Sequence, residues 1–180
     1  MSPRPQTAVQ QKPSAEKCSD PLEILVNEHE KGELHLRNLR DAANDIRTHG
    51  FSTGAFNRIG EAIRFIDTEM RHHNEKEEEF LLPLIAPHIP DAPLEMRREH
   101  RALWTAFEEL RRYVQDIEDG RLRGTAITDL VESALLIVYI LGDHIVRENE
   151  VLFPAVKRLL SPDEYDQLTK GIAGSANRAG

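Results

Sequence analysis

The stretch HNEKEEEFLLP (73–83) recurs 71 residues further along the chain as HIVRENEVLFP (144–154). The first histidine, two glutamates, a leucine and the final proline are kept between the two stretches. The same offset places Glu28–His29 on Glu99–His100. One offset that relates two separated pairs of segments indicates a duplicated unit of two helices.

Mostly apolar residues recur every three or four positions along four segments of the chain, which is the spacing of one face of a helix. We call these four series the core stripes. Their members are Leu22, Leu25, His29, Gly32, Leu36, Leu39, Ala43 and Ile46; Ile59, Ile63, Ile66, Met70, His73, Glu77, Phe80 and Leu84; Met96, His100, Leu103, Phe107, Leu110, Val114 and Ile117; and Leu130, Ala134, Ile137, Leu141, His144, Glu148, Val151 and Ala155. Glycine or proline interrupts the pattern at 49–54, 83–93, 120–124 and 161–162. No strand-like alternation occurs. The sequence therefore predicts an all-α protein whose residues 21–160 form an antiparallel up-down four-helix bundle.

The two ends of the chain differ in composition from the bundle. Residues 1–20 are rich in proline, glutamine, serine and lysine, which predicts a disordered leader. They also lack the apolar segment of a signal peptide. Residues 161–180 begin with the capping-box sequence SPDE (161–164), which predicts a short fifth helix followed by a frayed tail.

Length, charge and cysteine content limit the classes of function. A chain of 180 residues suits one domain with a proper core. The net charge of -8 argues against nucleic acid and anionic membranes as partners, because both favour a basic surface. The longest apolar run, 134–141, is too short to cross a bilayer. Because Cys18 is the only cysteine, no intrachain disulfide can form, which fits a reducing cytosol but leaves the compartment open. With no membrane span and no signal-peptide segment, we predict a cytoplasmic protein.

Six positions of the core stripes carry polar side chains: His29, His73, Glu77, His100, His144 and Glu148. Counted from the helix ends, all six fall in one layer ~9–15 Å from one end of the bundle, at ~1.5 Å rise per residue. Glu75, Glu78 and Glu79 fall outside the stripes and are predicted to face water. A buried polar group without a partner costs about 1–3 kcal/mol, and an ionised carboxylate costs more. The alternatives are a metal-free hydrogen-bond cluster of histidines and glutamates, or residues that are partly exposed at one end of the bundle. Two metal ions would satisfy all six groups and are favoured.

The six side chains also restrict the choice of metal. Four imidazoles and two carboxylates without a thiolate suit iron, manganese or zinc and disfavour calcium and magnesium. With two bridging carboxylates and a bridging oxygen, about two of roughly twelve octahedral positions would stay open, whereas a structural site would be closed. The sequence therefore predicts a pair of metal ions that can bind a small ligand.

The pattern H…HxxxE…H…HxxxE, over roughly residues 20 to 160, resembles the hemerythrin family, specifically the HHE cation-binding domains. The resemblance implies a non-haem centre of two iron ions, in preference to manganese or zinc, bridged by carboxylates and an oxo or hydroxo group. It assigns the ligands to His29, His73, Glu77, His100, His144 and Glu148. It also implies that the small ligand is O2 or a related oxidant such as NO or peroxide.

The chain departs from the oxygen-carrying hemerythrins in two ways. Trp104 stands one turn after His100, where those proteins have a further histidine, and the last helix carries HxxxE in place of HxxxxD. One imidazole fewer implies one more open position or a substitute ligand. Glu33 is a candidate substitute, although a solvated position on the helix face is favoured for it. Trp104 is interpreted as packing, or as a cap that keeps water from the metal layer.

Three functions remain open on the sequence. The leading hypothesis is a protein that binds or senses O2, NO or peroxide, with the redox state of the iron altering helix packing for a protein partner still unknown. The second is an enzyme that removes peroxide or NO, or delivers iron to damaged iron–sulfur clusters. The third is iron storage or sensing, with metal binding itself as the signal. The sequence does not decide whether the protein is an enzyme.

Overall fold

The computed structural model describes residues 20–121 and 124–176, which form five helices and no strand. Helix α1 spans Pro21–His49, α2 spans 53–85, α3 spans Ala92–Glu118, α4 spans 126–159 and α5 spans Pro162–Ala176. This confirms the prediction of an all-α protein. None of the described helices is both long and apolar enough to cross a membrane. Nearly all of the predicted leader and the end of the predicted tail lie outside the described residues.

Local side-chain contacts explain where the helices begin and end. The Asp20 side chain accepts a hydrogen bond of 2.9 Å from the Leu22 N–H and so caps α1. Gly50 follows α1 with φ of 89°, a backbone conformation that favours glycine. At the start of α5, the Glu164 carboxylate accepts from the Ser161 N–H at 2.8 Å, and the Ser161 hydroxyl accepts from the Glu164 N–H at 3.3 Å. This is the reciprocal pairing of a capping box.

The helices bury two separate apolar clusters. Helix α1 packs against α2 and α4, α3 packs against α4, and α5 packs against α1 and α2. The larger cluster runs from Leu36 to Ile145 and contains Phe107. The smaller cluster includes Leu25 at one end of the molecule and Leu168 of α5. The polar members of the core stripes lie between the two clusters on every long helix, so the apolar core is divided by one polar layer.

Two of the long helices contain π-helical turns next to this layer. In α2 the segments Ile66–Met70 and Glu77–Leu81 are π-helical, and in α4 the segment Glu148–Leu152 is. The turns at 77–81 and 148–152 are 71 residues apart, the offset of the sequence repeat, and each ends two residues before a proline. A proline within a helix lacks the N–H donor and crowds the preceding turn, which a widened turn accommodates. Pro83 therefore does not end α2, which continues to Ile85, and the observed break at 86–91 lies within the predicted interruption at 83–93.

Each of these two π turns shifts the core stripe by one residue. The pattern predicted Phe80, Leu84 and Val151 as core positions, but the first two are half-buried and Val151 is 66% exposed. The buried residues instead are Leu81, Ile85 and Leu152, each one position later. A π turn contains about one residue more than an α turn, which accounts for the later register of these three positions. At the end of α4 the predicted Ala155 and the next residue, Val156, are both buried.

Helix α5 packs so closely on the first of these turns that we expect Gly171→Ala to destabilise the protein by about 1–3 kcal/mol. A Cβ at Gly171 would lie 2.5 Å from Phe80 Cδ1 and 2.7 Å from its Cγ, so the ring must move. Urea denaturation measures the change. Gly174→Ala on the same helix is the matched control, because nothing lies within 4 Å of its Cβ. Equal midpoints for the two variants would contradict the close packing.

Candidate metal centre

The structure brings all six polar members of the core stripes together. Helix α1 contributes His29 and α3 contributes His100, while α2 and α4 each contribute a histidine and a glutamate four residues apart. Each of these side chains is at least 98% buried: His29, His73, Glu77, His100, His144 and Glu148. Both glutamates are the first residues of the π turns, so a special backbone geometry positions each of them.

The six side chains form two overlapping groups of a size that suits a metal ion. His29 and His73 belong to the first group, His100 and His144 to the second, and Glu77 and Glu148 belong to both. Within each group, one potential ligand atom from every residue lies within 4.8 Å of the others. Two cations could thus be held side by side and share both carboxylates.

The individual carboxylate oxygens face different histidines. Glu77 Oε1 lies 3.5 Å from His73 Nε2, and its Oε2 lies 3.5 Å from His100 Nε2. Glu148 Oε2 lies 3.0 Å from His29 Nε2, and its Oε1 lies 3.1 Å from His144 Nε2. Each carboxylate therefore spans from one histidine pair to the other, which is the arrangement needed to bridge two cations.

The other ring nitrogen of every histidine has a hydrogen-bond partner. The four Nδ1 contacts are His29 with Asn149 Oδ1 at 2.8 Å, His73 with Glu28 Oε2 at 2.9 Å, His100 with Glu78 Oε1 at 2.7 Å and His144 with Glu99 Oε2 at 2.9 Å. Each partner oxygen can accept a proton from Nδ1, which leaves the Nε2 atom of that ring available to bind a cation. Metal-binding histidines are typically oriented in this way.

The close contact between His29 and His73 requires a positive charge at their Nε2 atoms. Their Nε2 atoms lie only 2.8 Å apart. Because both rings donate from Nδ1, the two Nε2 electron pairs face each other, and a positive charge must lie between or on them. A metal ion supplies this charge without removing either Nδ1 hydrogen bond.

Several ligand atoms of the layer lack any hydrogen-bond partner. They are both carboxylate oxygens of Glu77 and of Glu148, together with Nε2 of His100 and of His144. Unpaired buried groups of this kind are rare in folded proteins, because each costs about 1–3 kcal/mol and a charged one costs more. The residues present therefore fit a pair of divalent cations.

The pKa shifts of the cluster have the same origin. Burial, followed by the nearby His73, lowers the pKa of His29 to about 4. Burial acts in the same direction on His73, but the carboxylates of Glu77 and Glu28 overcome it and raise the pKa of His73 to about 9. Burial and the charge of Glu77 raise the pKa of Glu148. The negative charge of Glu77 therefore acts on the pKa of both His73 and Glu148.

Three further residues discussed in the sequence analysis, Glu78, Glu33 and Trp104, are not among the six candidate ligands. Glu78 was predicted to face water, and this was wrong in part, since its side chain is 39% exposed and binds His100 Nδ1. Glu33 belongs to neither metal group; its side chain is 46% exposed and lies 3.5 Å from Arg37. Trp104 is half-buried, with the Arg71 guanidinium 4.0 Å from its ring centroid.

Sequence reasoning missed the residues that support the histidines. Glu28 and Glu99 precede the ligand histidines of α1 and α3 at the 71-residue offset, and this signal could have identified them. Asn149 gave no signal, because its counterpart in the repeat, Glu78, is a different residue. Lys76 was also missed; it is buried and pairs with Glu28.

Four helices that hold two overlapping histidine–carboxylate groups in one buried layer define a helical cation-binding protein. The model of the hemerythrin HHE cation-binding domain matches residues 20–157, and the chain belongs to this family. The resemblance seen in the sequence is thus confirmed. No curated protein matches the chain.

Proposed function

We propose that the protein holds two iron ions in this layer and binds or senses O2 or a related oxidant, NO or peroxide. In this proposal His29 and His73 bind one ion, and His100 and His144 bind the other. Glu77 and Glu148 bridge the two. The observation that carries the proposal is the pair of carboxylates whose four oxygens lack hydrogen bonds and face Nε2 atoms on opposite sides.

The number and type of ligands support a reactive centre over a purely structural one. Each ion would receive two imidazoles and two carboxylate oxygens, which leaves positions of an octahedral ion open. Iron in such a site supplies the ability to bind small oxidants and to exchange electrons with them. Trp104, in the place of a family histidine, belongs to neither metal group and so leaves one of these positions free.

A cavity of about 240 Å³ beside Glu148 supports access by a small ligand. It lies between α3 and α4, and apolar side chains including Met96 and Leu152 line it together with Glu148. The ion-paired Glu99 and Arg147 also line the cavity. Although charged groups contribute to the lining, most of the lining surface is apolar, which suits a small uncharged ligand such as O2 or NO.

The π turns support a sensing role. Glu77 and Glu148 are ligands in the proposal and are also the residues whose carbonyls accept the π-type bonds from Leu82 and Phe153. A change of ligand geometry at either carboxylate would therefore act directly on the backbone of α2 or α4. Helix α5 packs on the turn at Glu77, so that change would also reach the molecular surface.

We also infer that the four long helices run alternately up and down. The loops between α1 and α2 and between α2 and α3 are short, and helices joined by short loops pack as antiparallel neighbours. The level of the ligands along each helix supports the same order. A cytoplasmic location remains part of the proposal and accords with the single cysteine.

Metal analysis and an optical spectrum test the proposal. Protein purified without added metal, or reconstituted anaerobically with ferrous iron, is expected to contain two iron ions per chain. Exposure of the reduced protein to O2 or NO is expected to change its visible spectrum. Fewer than two metal ions, or no spectral change with either gas, would contradict the proposal. Steady-state consumption of peroxide or NO above that of free iron would instead support the enzyme hypothesis.

A further inference from the structure

The 71-residue repeat extends to the residues behind the ligands, with one exception. Glu28 corresponds to Glu99, and each accepts a hydrogen bond from a ligand histidine. Lys76 corresponds to Arg147, and each pairs with that glutamate. The remaining pair is Glu78 and Asn149, where a carboxylate corresponds to a neutral amide. The two halves of the centre are therefore alike in shape but not in charge.

This difference in charge affects the hydrogen-bond partner of His29 in one pair and of His100 in the other. His100 donates to the Glu78 carboxylate at 2.7 Å, so both histidines of its pair have carboxylate partners. His29 donates to the Asn149 amide oxygen at 2.8 Å, so its pair has one carboxylate partner and one neutral partner.

The cations next to these carboxylates increase the difference. Lys76, which pairs with Glu28, has a side chain only 6% exposed, so its positive charge acts on the His29–His73 side with little screening. Arg147, which pairs with Glu99, is 51% exposed, and Arg97 near Glu78 is 43% exposed. Water and salt screen these two charges. The surroundings of the His100–His144 pair are therefore the more negative.

We propose that the two metal positions are inequivalent, and that Glu78 makes the His100–His144 position the tighter one for a divalent cation. This inference rests on the proposed function, because it requires that both positions bind a metal ion. Glu78 acts here as a positioning residue, since it contacts His100 and not the metal. A carboxylate that accepts the Nδ1 proton raises the basicity of Nε2, whereas an amide does so less. Loss of such a partner typically reduces metal affinity about 10- to 100-fold.

Variants with one half of the centre removed allow each position to be measured alone. His29→Ala leaves the His100–His144 position, and His100→Ala leaves the His29–His73 position. A protein with a single position holds no neighbouring cation, so its affinity is free of repulsion between cations. In the wild-type protein that repulsion would give two different affinities even if the two positions were identical. Cobalt(II) is a suitable probe because it is divalent, stable to air and coloured when bound to nitrogen and oxygen ligands. We expect the His29→Ala protein to bind cobalt(II) at least about tenfold more tightly than the His100→Ala protein does.

Isosteric changes in the partner residues then test the cause. In the His29→Ala protein, Glu78→Gln is expected to weaken cobalt(II) binding about tenfold or more. In the His100→Ala protein, Asn149→Asp is expected to strengthen binding by a similar factor. Glu75→Gln is the matched control on α2, because its side chain is 65% exposed and contacts none of the ligands. Equal affinities of the two half-centres, or no effect of Glu78→Gln, would overturn the inference.

A measurement on the intact centre covers the case in which a half-centre variant does not fold. Wild-type crystals grown with one equivalent of cobalt(II) are expected to show their anomalous peak beside the Nε2 atoms of His100 and His144. An equal or stronger peak beside His29 and His73 would overturn the inference. Equal occupancy of the two positions at every amount of added cobalt(II), reaching two equivalents at saturation, would also overturn the inference. That result would leave the proposed function intact. Binding of fewer than two equivalents at saturation would contradict the proposed function itself.

Discussion

Glu77→Gln is expected to reduce bound iron from two ions per chain to less than one, whereas His100→Ala is expected to leave one. The reason is the position of the Glu77 carboxylate, whose two oxygens face histidines of opposite pairs. Loss of its charge removes an anionic ligand from both ions and weakens the attraction that offsets their mutual repulsion. A histidine contributes to one ion only.

Iron analysis after gel filtration measures this difference, and circular dichroism verifies that each variant is folded. Glu75→Gln is the control, since it removes one negative charge from the same helix at a site 65% exposed. That variant should retain both ions. If Glu77→Gln also retained both, the shared carboxylate could not be a bridge.

Removal of the metal is expected to lower the melting temperature of the wild-type protein by about 10 °C. A ligand present at about a thousand times its dissociation constant stabilises the folded state by about 4 kcal/mol. For a domain of this size, 1 kcal/mol corresponds to about 2–4 °C. The structural reason is that without cations the layer retains six buried ligand atoms with no hydrogen-bond partner, four of them on carboxylates.

Differential scanning calorimetry with and without a chelator measures the shift. The Glu77→Gln protein provides the control, because a variant that has lost most of its bound metal should show a much smaller difference between the two conditions. Excess metal added after dialysis of the chelator should restore the wild-type value. A wild-type melting temperature unaffected by the chelator would indicate that the layer is held together by its own hydrogen bonds.

The six candidate ligands could be identified from the sequence because helical periodicity is a local property. A histidine or glutamate at a core position conflicts with the apolar neighbours three and four residues away, and the conflict is visible without a structure. The repeat reinforced it, since His73 and Glu77 recur as His144 and Glu148. The structure adds that all six are buried in one layer.

The register after Glu77 and Glu148 could not be predicted in the same way. Extrapolation of the α-helical period placed Phe80 and Val151 in the core, while the structure buries Leu81 and Leu152. An extra residue in a turn leaves no mark in composition. Pro83 and Pro154 indicated an irregularity, but a proline is equally typical of a helix end.

By itself, then, the sequence determined the helical class, the family and the candidate ligands, because all three depend on spacing along single helices. Only the tertiary structure decided which oxygen faces which ring, and that Glu78 and Asn149 lie behind corresponding histidines of the two halves. His29 and Asn149 are 120 residues apart, and their contact depends on how α1 and α4 are packed. Contacts between helices depend on the rotation of each helix about its axis. The π turns that begin at Glu77 and Glu148 change that rotation for the residues that follow them.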